Sequence, residues 1–141
     1  MRTRVCSFGI AHLLTLILLA AGCQQQDTGT LTQVTGRVTF KGVPLRGGWI
    51  VFAPDAGKGE NGPIAHSKIQ QDGTYNLLTE DAPGARAGWY QVTVSSPGPA
   101  TSGRGQAQPS NIPENYSHPE LSKISCKVTS NQANSFDFDL K

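Results

Sequence analysis

Few residues of this 141-residue chain are of a type that does chemistry, and their spacing narrows the options. The cysteines are Cys6, Cys23 and Cys126, and the histidines are His12, His66 and His118. A zinc site needs His, Cys or carboxylates at short, regular spacings, and His66 and His118 have no such neighbours. No serine stands in a Gly-x-Ser-x-Gly turn, so no activated hydroxyl is suggested. Asp55, Glu60 and Asn61 share a glycine-rich loop, and Asp72 starts a turn. Calcium takes six or more oxygens, and no loop is that dense in ligands, so these read as turn formers. Lys41 and Asn134 lie near opposite ends of the chain, as an isopeptide pair in a sandwich does, but no buried acid is suggested beside them. Ile124-Ser125-Cys126-Lys127-Val128 alternates, which places Cys126 inward as a small apolar side chain. The reading is of a non-enzyme with no catalytic residues, no metal and no cofactor.

One cysteine has a different setting. Arg2 and Arg4 precede an uncharged stretch, residues 5–21, with Leu13-Leu14-Thr15-Leu16-Ile17-Leu18-Leu19 at its centre. A positive start, a short apolar run and small residues after it make a secretory leader. The run ends in Ala20-Ala21-Gly22-Cys23. These four residues resemble the lipobox of bacterial lipoprotein signal peptides, with Ala20 where Leu is commoner. The resemblance implies cleavage after Gly22 and acylation of Cys23, with palmitate among the chains. Each buried methylene adds about 0.8 kcal/mol, so one chain holds marginally and two or three hold stably. The expected partner is therefore membrane lipid, through acylated Cys23. Gln24 follows, rather than the Asp that retains lipoproteins at an inner membrane, which favours an outer-membrane envelope location. Residues 23–33 read as a polar, flexible tether. Ten residues or so would lift the domain at most about 35 Å from the lipid.

Composition sets the class of the remainder. Gly and Pro fill 25 of 141 positions, hydrophobic residues 37% and charged residues 16%, which points to many turns and few helices. Without Arg2 and Arg4 the chain has ten basic and ten acidic residues, which argues against nucleic acid held by charge. If Cys6 leaves with the leader and Cys23 is acylated, Cys126 has no partner for an internal disulfide.

Period-two alternation predicts seven strands: 34–40, 48–53, 64–70 (an edge strand), 74–79, 88–95, 123–129 and 135–140. Asp72-Gly73 predicts a tight turn closing a hairpin. Residues 96–110 are rich in Pro, Gly, Ser, Ala and Gln and predict a disordered insert, after which Ile112 and Tyr116 dock back on the sheet. Seven short strands in about 110 residues predict an all-β, two-sheet sandwich spanning residues 34–141. With Gly48, Ile50, Phe52, Tyr90, Val92 and Val94 inward, Trp49 and Trp89 face outward and are candidate ligand-binding residues. The alternative is that each indole is covered by the insert or by residues 112–116, or lies at a sandwich end, and a register slip of one residue would exchange the faces.

Val34-Thr35-Gly36-Arg37-Val38-Thr39-Phe40 with Gly42-Val43-Pro44-Leu45 resembles the opening of carboxypeptidase-regulatory-like, or transthyretin-like, domains. Asp72-Gly73-Thr74-Tyr75, then Gly84-Ala85 with Gly88-Trp89-Tyr90-Gln91-Val92-Thr93-Val94, resembles their centre. Ile112-Pro113-Glu114-Asn115-Tyr116-Ser117 and Asn134-Ser135-Phe136-Asp137-Phe138-Asp139-Leu140 are similar to the tail of small envelope lipoproteins of planctomycete-type bacteria. The resemblance covers residues 34–140. It implies a prealbumin-like sandwich at the cell envelope and no catalytic residues. Zinc-carboxypeptidase activity does not follow, because in that family this fold is an accessory domain. The expected role is a structural or protein-interaction module with an envelope protein as partner; the alternative is glycan or small-ligand binding at Trp49 and Trp89.

Overall fold

The computed structural model describes residues 29–96 and 110–141. The leader, Gly22, Cys23 and most of the predicted insert (97–109) lie outside the described residues. The rest forms two packed sheets, as an all-β sandwich requires.

The first sheet is built around β1 (Val34–Phe40). On one side β1 pairs antiparallel with β2 (Val43–Pro44) and β5 (Thr74–Asn76). On the other it pairs parallel with the end of the chain, β10 (Asn134–Ser135) and β11 (Phe138–Leu140). The second sheet has the order β7 (Ala82–Pro83), β6 (Leu78–Thr79), β4 (Ala65–Lys68), β3 (Trp49–Pro54), β8 (Gly88–Ser95), β9 (Ile124–Val128). Every pairing in it is antiparallel. Ile50, Phe52, Val92, Val94 and Val128 point from this sheet into the core, against Val34, Val38, Tyr75 and Leu140 of the other. Alternation read from the sequence therefore assigned the inner faces correctly, since side chains along a strand point to opposite faces in turn.

Several strands differ from the expected ones. The chain over 74–79 is not one strand. At Leu77 the backbone N–H donates to Val34 O of the first sheet, while Leu77 O accepts from Gly84 N. The segment thus crosses between the sheets, and β5 and β6 lie on opposite layers. The Gln70–Thr74 turn is present, closed by Gln70 N to Thr74 O and Gly73 N to Gln70 O, but its arms diverge instead of making a hairpin. The strand expected at an edge, β4, lies inside the second sheet because β6 returns to pair with it. The last strand is broken at Phe136 and Asp137, where the Asp137 carboxylate accepts from Arg37 N at 2.8 Å in place of a ladder carbonyl. Residues 114–122 form a 3₁₀ turn, Glu114–Ser117, and α1 (Pro119–Ser122).

The domain also begins earlier than Val34. Thr32 and Ala85 exchange two backbone hydrogen bonds, 2.8 and 2.9 Å, and Thr32 is buried. Gly84 makes this approach with φ at 108°, and a Cβ there would lie 2.5 Å from Thr32 O. The tether is thus clamped to the sandwich at Thr32. At the other end, Ile112 is buried and Tyr116 packs on the core, as expected; Tyr116 O–H donates to Lys141 O at 3.1 Å.

Asp139 is exposed, yet its carboxyl is held below the ordinary value. Thr39 O–H donates to it at 2.8 Å and Gly42 N–H at 3.0 Å, and both favour the ionised form. A depressed folded pKa means the unfolded chain takes the proton first. The associated stability is present above the unfolded value, 3.8, and is lost as pH falls through the folded one. Asp139→Asn is expected to flatten the acid limb of the urea midpoint against pH. An unchanged acid limb would show that this carboxylate has no part in it.

Candidate functional site

The outward face of the second sheet carries both candidate tryptophans. Trp49 begins β3 opposite Ser95, and Trp89 lies six residues earlier on β8. At 3.3–3.4 Å per residue the two sit about 20 Å apart, at opposite ends of the sheet. They do not form one aromatic platform. Trp49 is 49% exposed, with the His66 ring 5.9 Å away and tilted by 44°. Trp89 is half-buried, and two lysines stand over its ring. Lys58 Nζ lies 3.9 Å from its ring centroid and Lys127 Nζ 5.8 Å. Lys127 is its direct ladder partner on β9.

Lys58 is placed by the loop after β3. Asp55 caps the 3₁₀ turn Ala56–Lys58, accepting from Gly57 N at 3.1 Å. The same oxygen accepts from Gln91 Nε2 at 3.3 Å, and its other oxygen lies 3.2 Å from Lys58 Nζ. Asp55 is buried and both its oxygens are engaged within this loop and with Gln91. Asp72 belongs to a different turn, where Thr74 N and Oγ1 donate to it. Among the described residues no group of three or more His, Cys, Asp or Glu is placed to hold a metal. The isopeptide pair is also apart. Asn134 is opposite Val34, and Lys41 follows Phe40 at the far end of β1, about 23 Å away at the strand rise. The Asn134 amide instead ties the β9–β10 turn, bonding Thr129 N, Thr129 O and Gln132 O.

No family model matches this chain. Neither a curated protein nor a solved structure matches it either.

A polar cleft of about 460 Å³ lies where the tether enters the fold. Thr30, Glu60, Asn61, Arg86, Trp89 and Asn131 line it. The Glu60 carboxylate is fixed by Trp89 N–H at 3.1 Å. Tyr90 O–H donates to Arg86 O at 3.0 Å, which anchors the backbone beside it. The sequence pattern marks Glu60 and Asn61 as turn formers in a glycine-rich loop, with calcium the alternative weighed for them. It had no signal for Arg86 or Lys58, because their places depend on which loops meet at this end.

Cys126 is buried, and burial pushes its thiol up to about 12. A thiol at that value is almost wholly protonated at neutral pH, and the thiolate is the nucleophile. His118 Nε2 lies 3.8 Å from Glu114 Oε1 on the exposed turn. Cys126 is expected to resist alkylation by iodoacetamide at pH 8 in the native chain and to react fully in urea. Rapid modification of the native chain, read by mass, would contradict its burial. The same shift makes Cys126 stabilising below the unfolded value, 9.0, with that contribution lost as pH rises towards about 12.

Proposed function

We propose that this chain is a lipid-anchored, non-enzymatic module of the cell envelope, a prealbumin-like sandwich that presents a surface to an envelope protein. The observation that carries this reading is Cys23 in Ala20-Ala21-Gly22-Cys23, behind an apolar leader and six residues before the first described residue, Gly29. Three further features support it. Thr32 is clamped to the sandwich, so the domain is tied closely to the acylated residue. The inward thiol is held protonated. Among the described residues no helix is long and apolar enough to cross a membrane, and in this reading the acyl chains hold the domain there. Gln24 favours the outer membrane within the same proposal.

Cys23→Ser is the test. The protein is expected to move from the membrane fraction to the soluble fraction, with loss of metabolic palmitate labelling. A variant that still floats with lipid would overturn the anchor.

Glycan binding is the second reading, and one observation favours it: Trp49 stands half exposed on the outer face of the second sheet. Trp89 lies at the other end beneath Lys58, so Trp49 is the stacking residue of this reading. Envelope polysaccharide is expected to quench Trp49 fluorescence. Equal affinity in wild type, Trp49→Ala and Trp89→Ala would end it.

A further inference from the structure

The two ends of the sandwich differ in their distance from the proposed anchor. Gly29 and Thr30 line the cleft together with Pro54, Glu60, Arg86 and Asn131. The loops 55–63, 80–87 and 129–133 therefore gather at the end where the chain enters. Trp89 is at this end, and Trp49 is at the other, where β3 starts. The Thr32–Ala85 bridge prevents the tether from peeling away without breaking two buried hydrogen bonds. Only residues 24–28 separate Cys23 from the described chain, and six extended residues reach at most about 21 Å. That is about the same as the separation of the two tryptophans along the sheet.

From this geometry we infer that the lipid surface is met by the cleft end of the sandwich, and that the Trp49 end projects outward. The inference rests on the lipid anchor proposed above and adds the surface that faces the membrane. The charges at that end are mixed: Lys58, Arg86 and Lys127 stand with Glu60, Glu80 and Asp81. Neither attraction to nor repulsion from anionic headgroups dominates, so the short tether sets the orientation and salt has little effect on it. The surface left for an envelope partner is then the far end, with exposed Trp49 and Val43.

The two indoles make the orientation measurable. Full-length acylated protein would be reconstituted in phosphatidylethanolamine–phosphatidylglycerol vesicles carrying a dansyl-labelled headgroup lipid. Trp49→Phe leaves Trp89 as the energy donor, and Trp89→Phe leaves Trp49. Transfer from Trp89 is expected to exceed that from Trp49 at least about twofold, given a separation of about 20 Å. The ratio is expected to hold from low to physiological salt. Lengthening the tether of Trp49→Phe by about ten Gly-Ser residues after Gln26 is expected to lower its transfer. That variant carries the test alone if Trp89→Phe does not fold. Equal transfer from the two indoles, stronger transfer from Trp49, or indifference to tether length would overturn the orientation while vesicle flotation still upheld the anchor. Failure of the acylated protein to float would overturn the anchor and the orientation with it.

Discussion

Phe52→Ala is expected to cost about 3–5 kcal/mol, the range for removing a large aromatic from a closed core. Domains of this kind have about 5–15 kcal/mol in total, so the substitution removes much of the margin. The reason lies in where the ring sits. Phe52 projects from β3 and is fully buried. Its centroid is 5.9 Å from Tyr90 on its own sheet. It is 6.2 Å from Tyr75, 6.3 Å from Phe136 and 6.2 Å from Phe138, which belong to the opposite layer. One side chain therefore joins two strands of the first sheet to the second. Tilted and edge arrangements of this kind add about 0.5–1.5 kcal/mol per pair beyond the area they bury. Tyr75 and Tyr90 cannot collapse freely into the space, because their hydroxyls are fixed to Phe136 O at 2.7 Å and Arg86 O at 3.0 Å. A lower urea midpoint with an unchanged slope would show lost stability in an otherwise similar fold. Phe52→Leu keeps part of the volume and is expected to cost less. A loss under about 1 kcal/mol in Phe52→Ala would contradict the central place of this ring.

The inward set containing Phe52 was legible in the sequence because a half-buried strand writes its faces at every second residue. Val34, Val38, Ile50, Phe52, Val92 and Val94 all face the core as the alternation predicts. The breaks were not legible. Residues 74–79 alternate like a single strand, yet the layer changes at Leu77, and only the carbonyl of Val34 and the amide of Gly84 decide that. Asp137 reads as an outward residue, which it is, but that its carboxylate replaces a ladder acceptor for Arg37 depends on two segments a hundred residues apart.

The candidate site divides in the same way. Outward orientation of Trp49 and Trp89 followed from local pattern. Their separation along the sheet followed only from the pairing of Trp49 with Ser95, and the cover over Trp89 from a loop that Asp55 bends back onto the sheet. The sequence pattern carried Glu60 and Asn61 to the surface. It held nothing to show that Arg86 and the tether would meet them there.

Gly36→Ala is expected to be comparably damaging, though it adds a single methyl group. Gly36 sits in the middle of β1 with Tyr75 as its antiparallel partner and the Phe136 peptide on its other flank. A Cβ at this position would fall on the Phe136 carbonyl, and it would lie 2.8 Å from the Tyr75 hydroxyl oxygen. Backbone is the obstacle on one side, so the clash cannot be relieved by a rotamer change. Either β1 separates from the closing strand, or Phe136 moves and its carbonyl loses the Tyr75 hydrogen bond. Overpacking a closed core commonly costs about 1–3 kcal/mol. Leaving a buried polar group unpaired adds about 1–3 kcal/mol more. The two effects are coupled, because the atom that the methyl strikes is the one that accepts from Tyr75. Tyr75→Phe separates them: alone it removes only the hydrogen bond, and in Gly36→Ala it is expected to cost less than it does in the wild type. Additive losses in this double-mutant cycle would mean that the methyl group is accommodated without disturbing Phe136, and that the close approach of β1 to the chain's last strand is not what Gly36 provides.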